Sequence, residues 1–236
     1  MSLHIGIVVC SAEGGSLCYR TICEEAPALM GRHMHPEIST HTIPLGEYMQ
    51  FIPKDDWKGV AGLMLQSAKK LASIGADFLI CPDNTIHHAM PYVLPESPLP
   101  WLHIAQEVAE EAHRRGFKKL AITGTKYTME GTVYPEVLKK AGLEFRVPSP
   151  LDREKIDKII FDELVNGQFR SESLGVFRAA IDRLKSEGCD AVVLGCTEIP
   201  LLVTPETSPL PVLDSTRLLA RAALRKAIGK ALSTNP

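Results

Sequence analysis

The chain has 236 residues, 45% of them apolar, which is enough to bury one large core or two compact ones. A formal net charge of −2 and a pI near 6.5, with basic residues dispersed among acidic ones, exclude the electrostatic footprint of a nucleic-acid binder. The longest apolar runs are strand-sized and the N-terminus enters a strand pattern without a basic leader, so neither a membrane span nor a secretion signal is expected.

In chain order, Leu3–Val9 reads as a buried strand, followed by the polar, glycine-containing CSAEGGS loop and a helix containing Cys18–Leu29. Ile38–Ile43 reads as a strand, Trp57–Ser73 as an amphipathic helix, and Phe78–Cys81 as a strand ending in the PDNT turn. A proline-marked connection leads to a further strand start at Leu99–Ile104, then a helix at Glu107–Arg115 and a strand at Lys119–Thr123. The remainder reads as a helix around Thr132–Lys140, a strand at Glu144–Val147, helices at Asp152–Leu164 and Ser171–Glu187, a strand at Ala191–Leu194 and a last helix from near Ser215 to about Ile228.

Two stretches of this series echo one another. GADFLICPDNT at 75–85 aligns without a gap on GCDAVVLGCTE at 188–198, which pairs Asp83 with Cys196 and Asn84 with Thr197. Upstream, Met64, Ala68 and Leu71 match Phe177, Ile181 and Leu184; downstream, SPLP at 97–100 recurs at 208–211. Strand-length apolar runs alternating with longer helices imply an α/β fold, and the echo divides it into two pseudo-symmetric, mainly parallel βαβ lobes. The expected division is 1–98 plus 212–236 for the first lobe, with its returning C-terminal helix, and 99–211 for the second, with the active site in the cleft between them.

Ligands of open parallel sheets sit beyond the carboxyl ends of the strands. Asp83, Asn84 and Thr85 fall there in one copy, and Cys196, Thr197 and Glu198 in the other. Their backbone N–H groups suit a carboxylate, with any following helix dipole assisting, and Ser11, Gly14, Gly15, Ser16, Gly124 and Thr125 can complete the cup. Cap and turn roles compete for each hydroxyl. Tyr48, Gln50 and Glu163 are weaker candidates for the pocket wall. His87 is placed to orient the turn or assist an acid/base group, whereas His103 suits a structural hydrogen bond. None of the eight histidines combines with nearby Cys or Asp into a metal set, and no glycine-rich nucleotide fingerprint is present, so no cofactor and no metal are expected.

The stretches IGIVV, HPEIS, DNTIH, PLPWLHIA, ITGTKYTMEG, FDELVNG and LGCTEIPLLV together make the chain resemble the aspartate/glutamate racemase superfamily, in particular the aspartate racemase branch. The resemblance implies a cofactor-independent amino-acid racemase: one side chain removes the α-proton and another returns a proton to the opposite face. The usual pair is two cysteines. Cys196 matches the second and Asp83 stands at the first, so the expectation is two-base transfer between Cys196, as thiolate, and a protonated Asp83. Asp is the weaker base, about 3.9 against about 8.5 for a thiol in reference peptides. Cys81, two residues before Asp83, reads mainly as packing because its counterpart is Leu194.

The substrate is expected to be aspartate, glutamate or a related polar or neutral amino acid. The resemblance further implies a homodimer, and the six cysteines, without finger spacing, suit a cytoplasmic protein. Two other readings stand beside it: a cofactor-free decarboxylase or lyase using Cys196 alone, and a small-carboxylic-acid binding protein.

Overall fold

The computed structural model describes residues 2–229, which form two compact units: residues up to Ile104 with those from Thr216 onward, and Ala105–Ser215. Each unit carries its own parallel sheet. The first contains β1 (Ile5–Val9), β2 (Ile38–Thr42) and β3 (Phe78–Ile80) in the order β2-β1-β3. The second contains β4 (Lys119–Gly124), β5 (Glu144–Arg146), β6 (Ala191–Gly195) and β7 (Val212–Asp214) in the order β5-β4-β6-β7.

The lobes repeat each other more closely than the strand orders alone suggest. Leu79 in β3 forms a parallel bridge to Trp101, and the matching residue Val192 in β6 pairs with Val212 of β7. The first lobe therefore has a single bridge where the second has a strand, and the strand expected at Leu99–Ile104 is reduced to that bridge before a helix begins at Ile104. In both lobes the first residue of the connection's SPLP does the same work. Ser97 Oγ donates to Leu99 O at 2.8 Å, and Ser208 Oγ donates to Leu210 O at 2.7 Å. Each loop then offers a proline carbonyl to the preceding strand, Pro100 O to Leu79 N at 2.8 Å and Pro211 O to Val192 N at 2.9 Å.

The Gly-x-Asp of the echo is also scaffold. Gly75 and Gly188 end their helices at φ +91° and +90°, a left-handed region that glycine enters without a Cβ penalty. Two residues later, Asp77 accepts the His4 N–H at 2.7 Å, and Asp190 accepts the Lys118 N–H at 2.7 Å and the Lys119 N–H at 3.2 Å. Each carboxylate satisfies donors at the entry of the central strand and so fixes where β1 or β4 begins.

Apolar burial on both sheet faces explains the continuous strand sequences. Every residue of β1 and of β6 is buried, while the edge strands β2 and β5 are partly exposed. In the first unit Ile5, Ile7 and Ile80 pack with Cys18 and Ile22 of the helix Ala12–Glu25 and with Leu219 and Ala223 of the C-terminal helix Ser215–Ile228. In the second, Val192 and Leu194 pack with Ile156 and Ile160 of Pro150–Asp162 and with Phe177 and Ile181 of Ser171–Ser186. Each Val, Leu, Ile or Phe among them, fully buried, contributes about 1.5–3 kcal/mol.

A second local expectation is corrected. The CSAEGGS segment is not a loop: Ser11 caps a helix that starts at Ala12, accepting the Gly14 N–H at 3.2 Å. Gly15 packs tightly in that first turn, since a Cβ there would stand 2.7 Å from Val9 Cγ1. Among the described residues no helix is long and apolar enough to cross a membrane.

Candidate functional site

In the first unit the turn after β3 is built around Asp83, which is buried. Its carboxylate accepts the Ser11 hydroxyl on Oδ1 and the Cys10 N–H on Oδ2, the latter at 3.2 Å. Both donors come from the end of β1, 72 or 73 residues earlier, and parallel pairing of β1 with β3 brings them there. Two donors converging on the two oxygens complement an ionised carboxylate. Asn84 is buried beside it and Thr85 is partly exposed.

The backbone of Asp83 is fixed by His87. His87 Nε2 faces the Ile104 N–H at 3.4 Å and Nδ1 faces the Asp83 carbonyl at 3.0 Å. An amide N–H can only donate and a carbonyl can only accept, so Nε2 is bare and Nδ1 carries the hydrogen. The ring is 2% exposed, and burial, followed by the neighbouring His103, pushes its pKa well below the ordinary histidine value. His87 is thus a neutral brace that orients the turn. His103 lies edge-on to it, with ring centroids 4.8 Å apart.

Cys81 is fully buried, with its thiol at 3.9 Å from the same carbonyl, and burial, then the Asp83 charge, raises its pKa well above the usual thiol range. That is the setting of an inert packing cysteine. Tyr48 is fully buried on the inner side of this cluster: burial, then Cys10, Cys81 and Asp83 in turn, push its hydroxyl upward, and Ser67 moderates the rise. Gln50 is exposed and donates to Glu47 at 3.2 Å.

In the second unit Cys196 follows β6 directly and is partly exposed. Its thiol donates to Glu198 Oε2 at 2.9 Å, and the Thr197 hydroxyl donates to the same oxygen at 2.7 Å. Glu198 is 6% exposed, so this carboxylate is held inside the turn by the two residues before it. Sequence reasoning sets Glu198 at this strand end but assigns it no role. The signal was present: an acid two positions after a thiol, followed at once by the apolar run IPLLV.

Gly195, just before Cys196, lets β6 run close to β4. It pairs with Gly124 across β4 and β6, and a Cβ on it would meet Thr123 O at 2.7 Å. Thr125 caps the short helix Lys126–Glu130, accepting the Thr128 N–H at 3.3 Å, and the Thr128 hydroxyl reaches Gly195 O at 3.5 Å. Glu163 ends the helix Pro150–Asp162 as its C-cap, accepts the Ser173 hydroxyl at 2.5 Å and lies 3.7 Å from Arg170.

Both functional turns lead into 3₁₀ segments, Thr85–Ala89 and Ile199–Leu201, rather than into long helices. The helix-dipole assistance expected for an anion is correspondingly small, and individual donors do the work instead. Among the described residues no group of three or more His, Cys, Asp or Glu side chains is arranged to hold a metal ion.

Two parallel α/β units of one topology, with an acid in the turn after β3 and a thiol directly after β6, place the chain in the class of two-lobed α/β proteins with the racemase fold. The Asp/Glu/Hydantoin racemase family matches residues 7–223, and the chain belongs to it. The broad specificity amino-acid racemase RacX of Bacillus subtilis is 24% identical over 68% of this chain and 69% of its own length. Among solved structures, a candidate Asp/Glu racemase from Yersinia pestis is 30% identical, covers 96% of this chain and 99% of its own, and superposes with a TM-score of 0.87. An aspartate racemase homologue from Pyrococcus horikoshii OT3 is also 30% identical, over 97% of this chain and 100% of its own, with a TM-score of 0.83.

Proposed function

We propose that this protein racemises an amino acid without pyridoxal phosphate or metal, Asp83 and Cys196 acting from opposite faces of one α-carbon. The observation that carries the reading is the Cys196 thiol, partly exposed at the end of β6 with its hydrogen ordered on Glu198. Family membership supports racemase chemistry in general; the pair of residues and the substrate are the finer part of the proposal.

The hydrogen bonds favour a resting assignment opposite to the one expected from the sequence. Asp83 is an acceptor from two donors, and Cys196 is a donor. In this direction the Asp83 carboxylate takes the α-hydrogen as a proton, leaving its electron pair on the α-carbon. Cys196 then gives the thiol proton to the other face and becomes a thiolate, with Asp83 protonated. The reverse reaction restores both groups. Asn84, Thr85 and Thr197 supply donors for the substrate carboxylate, whose charge must be balanced while carbanion character develops. The substrate is an amino acid in the aspartate, glutamate, polar or neutral range. We further propose a cytoplasmic homodimer, the compartment consistent with six free cysteines among the described residues.

Proton NMR in D2O tests the reading. Loss of the α-hydrogen signal from either enantiomer, with appearance of the opposite one, is expected for the native chain and is expected to fall at least about a thousandfold in Cys196→Ala. Absence of exchange across acidic, polar and neutral amino acids would sink it. The asymmetry between Asp83 and Cys196 also suits a decarboxylase using Cys196 alone, which the same spectra would expose through a shortened product.

A further inference from the structure

The Ser11 hydroxyl has one hydrogen, and it is committed to Asp83 Oδ1; its oxygen meanwhile accepts the Gly14 N–H at 3.2 Å. The Cys10 N–H also has one hydrogen, directed to Asp83 Oδ2 at 3.2 Å. Ser11 was expected to hold a ligand carboxylate, yet both donors at the end of β1 are filled by a carboxylate that the chain itself supplies. The carboxylate does not hang from a loose loop. The Asp83 carbonyl is braced by His87 at 3.0 Å, and the carbonyl of the preceding Pro82 accepts from Thr216 at 3.5 Å.

We propose that Asp83 is the specificity-determining residue of the first unit, selecting amino acids with a single carboxylate, whose side chains are uncharged or cationic, over dicarboxylic ones. The inference rests on the racemase reading for the kind of molecule handled, and it deepens that reading by naming the substrate class. A second carboxylate brought to the end of β1 must displace Asp83 from both donors, leaving a buried charge without those hydrogen bonds, and must stand beside it as a like charge. A neutral side chain meets neither obstacle, and an ammonium group is attracted. The matching position in the second unit carries a thiol, Cys196, so the charge at this point of the echo is particular to the first unit.

The test uses near-isosteric pairs, asparagine against aspartate and glutamine against glutamate in both enantiomers, with the full chain. Calorimetric binding and α-hydrogen exchange are read on the same samples. Each amide is expected to bind at least tenfold more tightly than its acid, and Asp83→Ser, which frees the Ser11 and Cys10 donors, is expected to erase or invert that ratio. Equal or tighter binding of the acids by the native chain overturns the proposal, as does an unchanged ratio in a folded Asp83→Ser protein. Should the variant not fold, the native-chain comparison still decides. Amide-selective binding without any exchange sinks the racemase reading and leaves this inference standing; no binding of any of the four overturns it.

Discussion

Cys196 gives its thiol hydrogen to the Glu198 carboxylate across 2.9 Å, and Thr197 gives its hydroxyl hydrogen to the same oxygen. The arrangement orients the sulfur. Glu198→Gln retains an acceptor oxygen but not the charge, so α-hydrogen exchange is expected to drop about 10- to 100-fold with little change in KM. Glu198→Ala also removes the acceptor and is expected to cost more. Initial rates of exchange in D2O check both, and an unaffected Glu198→Gln would reduce Glu198 to a structural support.

Asp77 and Asp190 fasten the entries of β1 and β4 through backbone N–H groups. Asp77→Ala and Asp190→Ala are each expected to destabilise the protein by about 1–3 kcal/mol, because the donors lose a charged partner. Urea unfolding measures the loss. Exchange activity per folded molecule is expected to stay within about twofold, because neither residue belongs to the functional turns.

His87 gives a pH dependence whose sign is set by burial. Its folded-state pKa lies well below its unfolded value of about 6.5, so it is neutral in both states above that pH and only the unfolded chain takes up a proton below it. Stability is therefore expected to fall as pH drops below about 6.5, by about 1.4 kcal/mol per pH unit until the folded value is reached. His87→Asn, which keeps a donor near the Asp83 carbonyl, is expected to lose this part of the slope. His41, also shifted downward by burial and then by Lys70, remains in both proteins, so the difference between their unfolding curves isolates His87.

Gly195 is the point where β6 approaches Thr123 too closely for a side chain. Gly195→Ala is expected to destabilise the protein by about 1–3 kcal/mol through the forced backbone shift. Exchange is expected to fall more steeply than the folded fraction, since the shift moves Cys196 directly. Thermal unfolding and exchange rates measured on one preparation separate the two effects.

Much of this architecture was legible in the sequence because it depends on local patterns. Apolar runs of strand length, helical stripes such as Met64, Ala68 and Leu71, and the repeated SPLP each constrain their own neighbourhood, and together they foretold two matching parallel lobes. The echo sets the polar ends of two matching strands where a ligand would sit. Most of it proved to be scaffold: the glycines end helices, the aspartates pin strands, and the serines close identical turns. The residues at 83 and 196 and their immediate partners are the part of the echo that the proposed chemistry uses. CSAEGGS was misread as a loop because two glycines and two serines resemble a turn by composition, whereas the Ser11 cap and the close approach of Val9 make it the start of a helix.

The sequence by itself determined the fold class, the twofold repeat and the pairing of an acid at position 83 with a thiol at position 196. Tertiary structure decided which donors that acid meets, which tautomer His87 adopts, and that Glu198 receives the Cys196 hydrogen. Sequence patterns report periodicity, which fixes faces and strands. Hydrogen bonds between residues 72 apart, such as Ser11 to Asp83, arise only when parallel pairing sets two strand ends side by side, and no local pattern encodes that register.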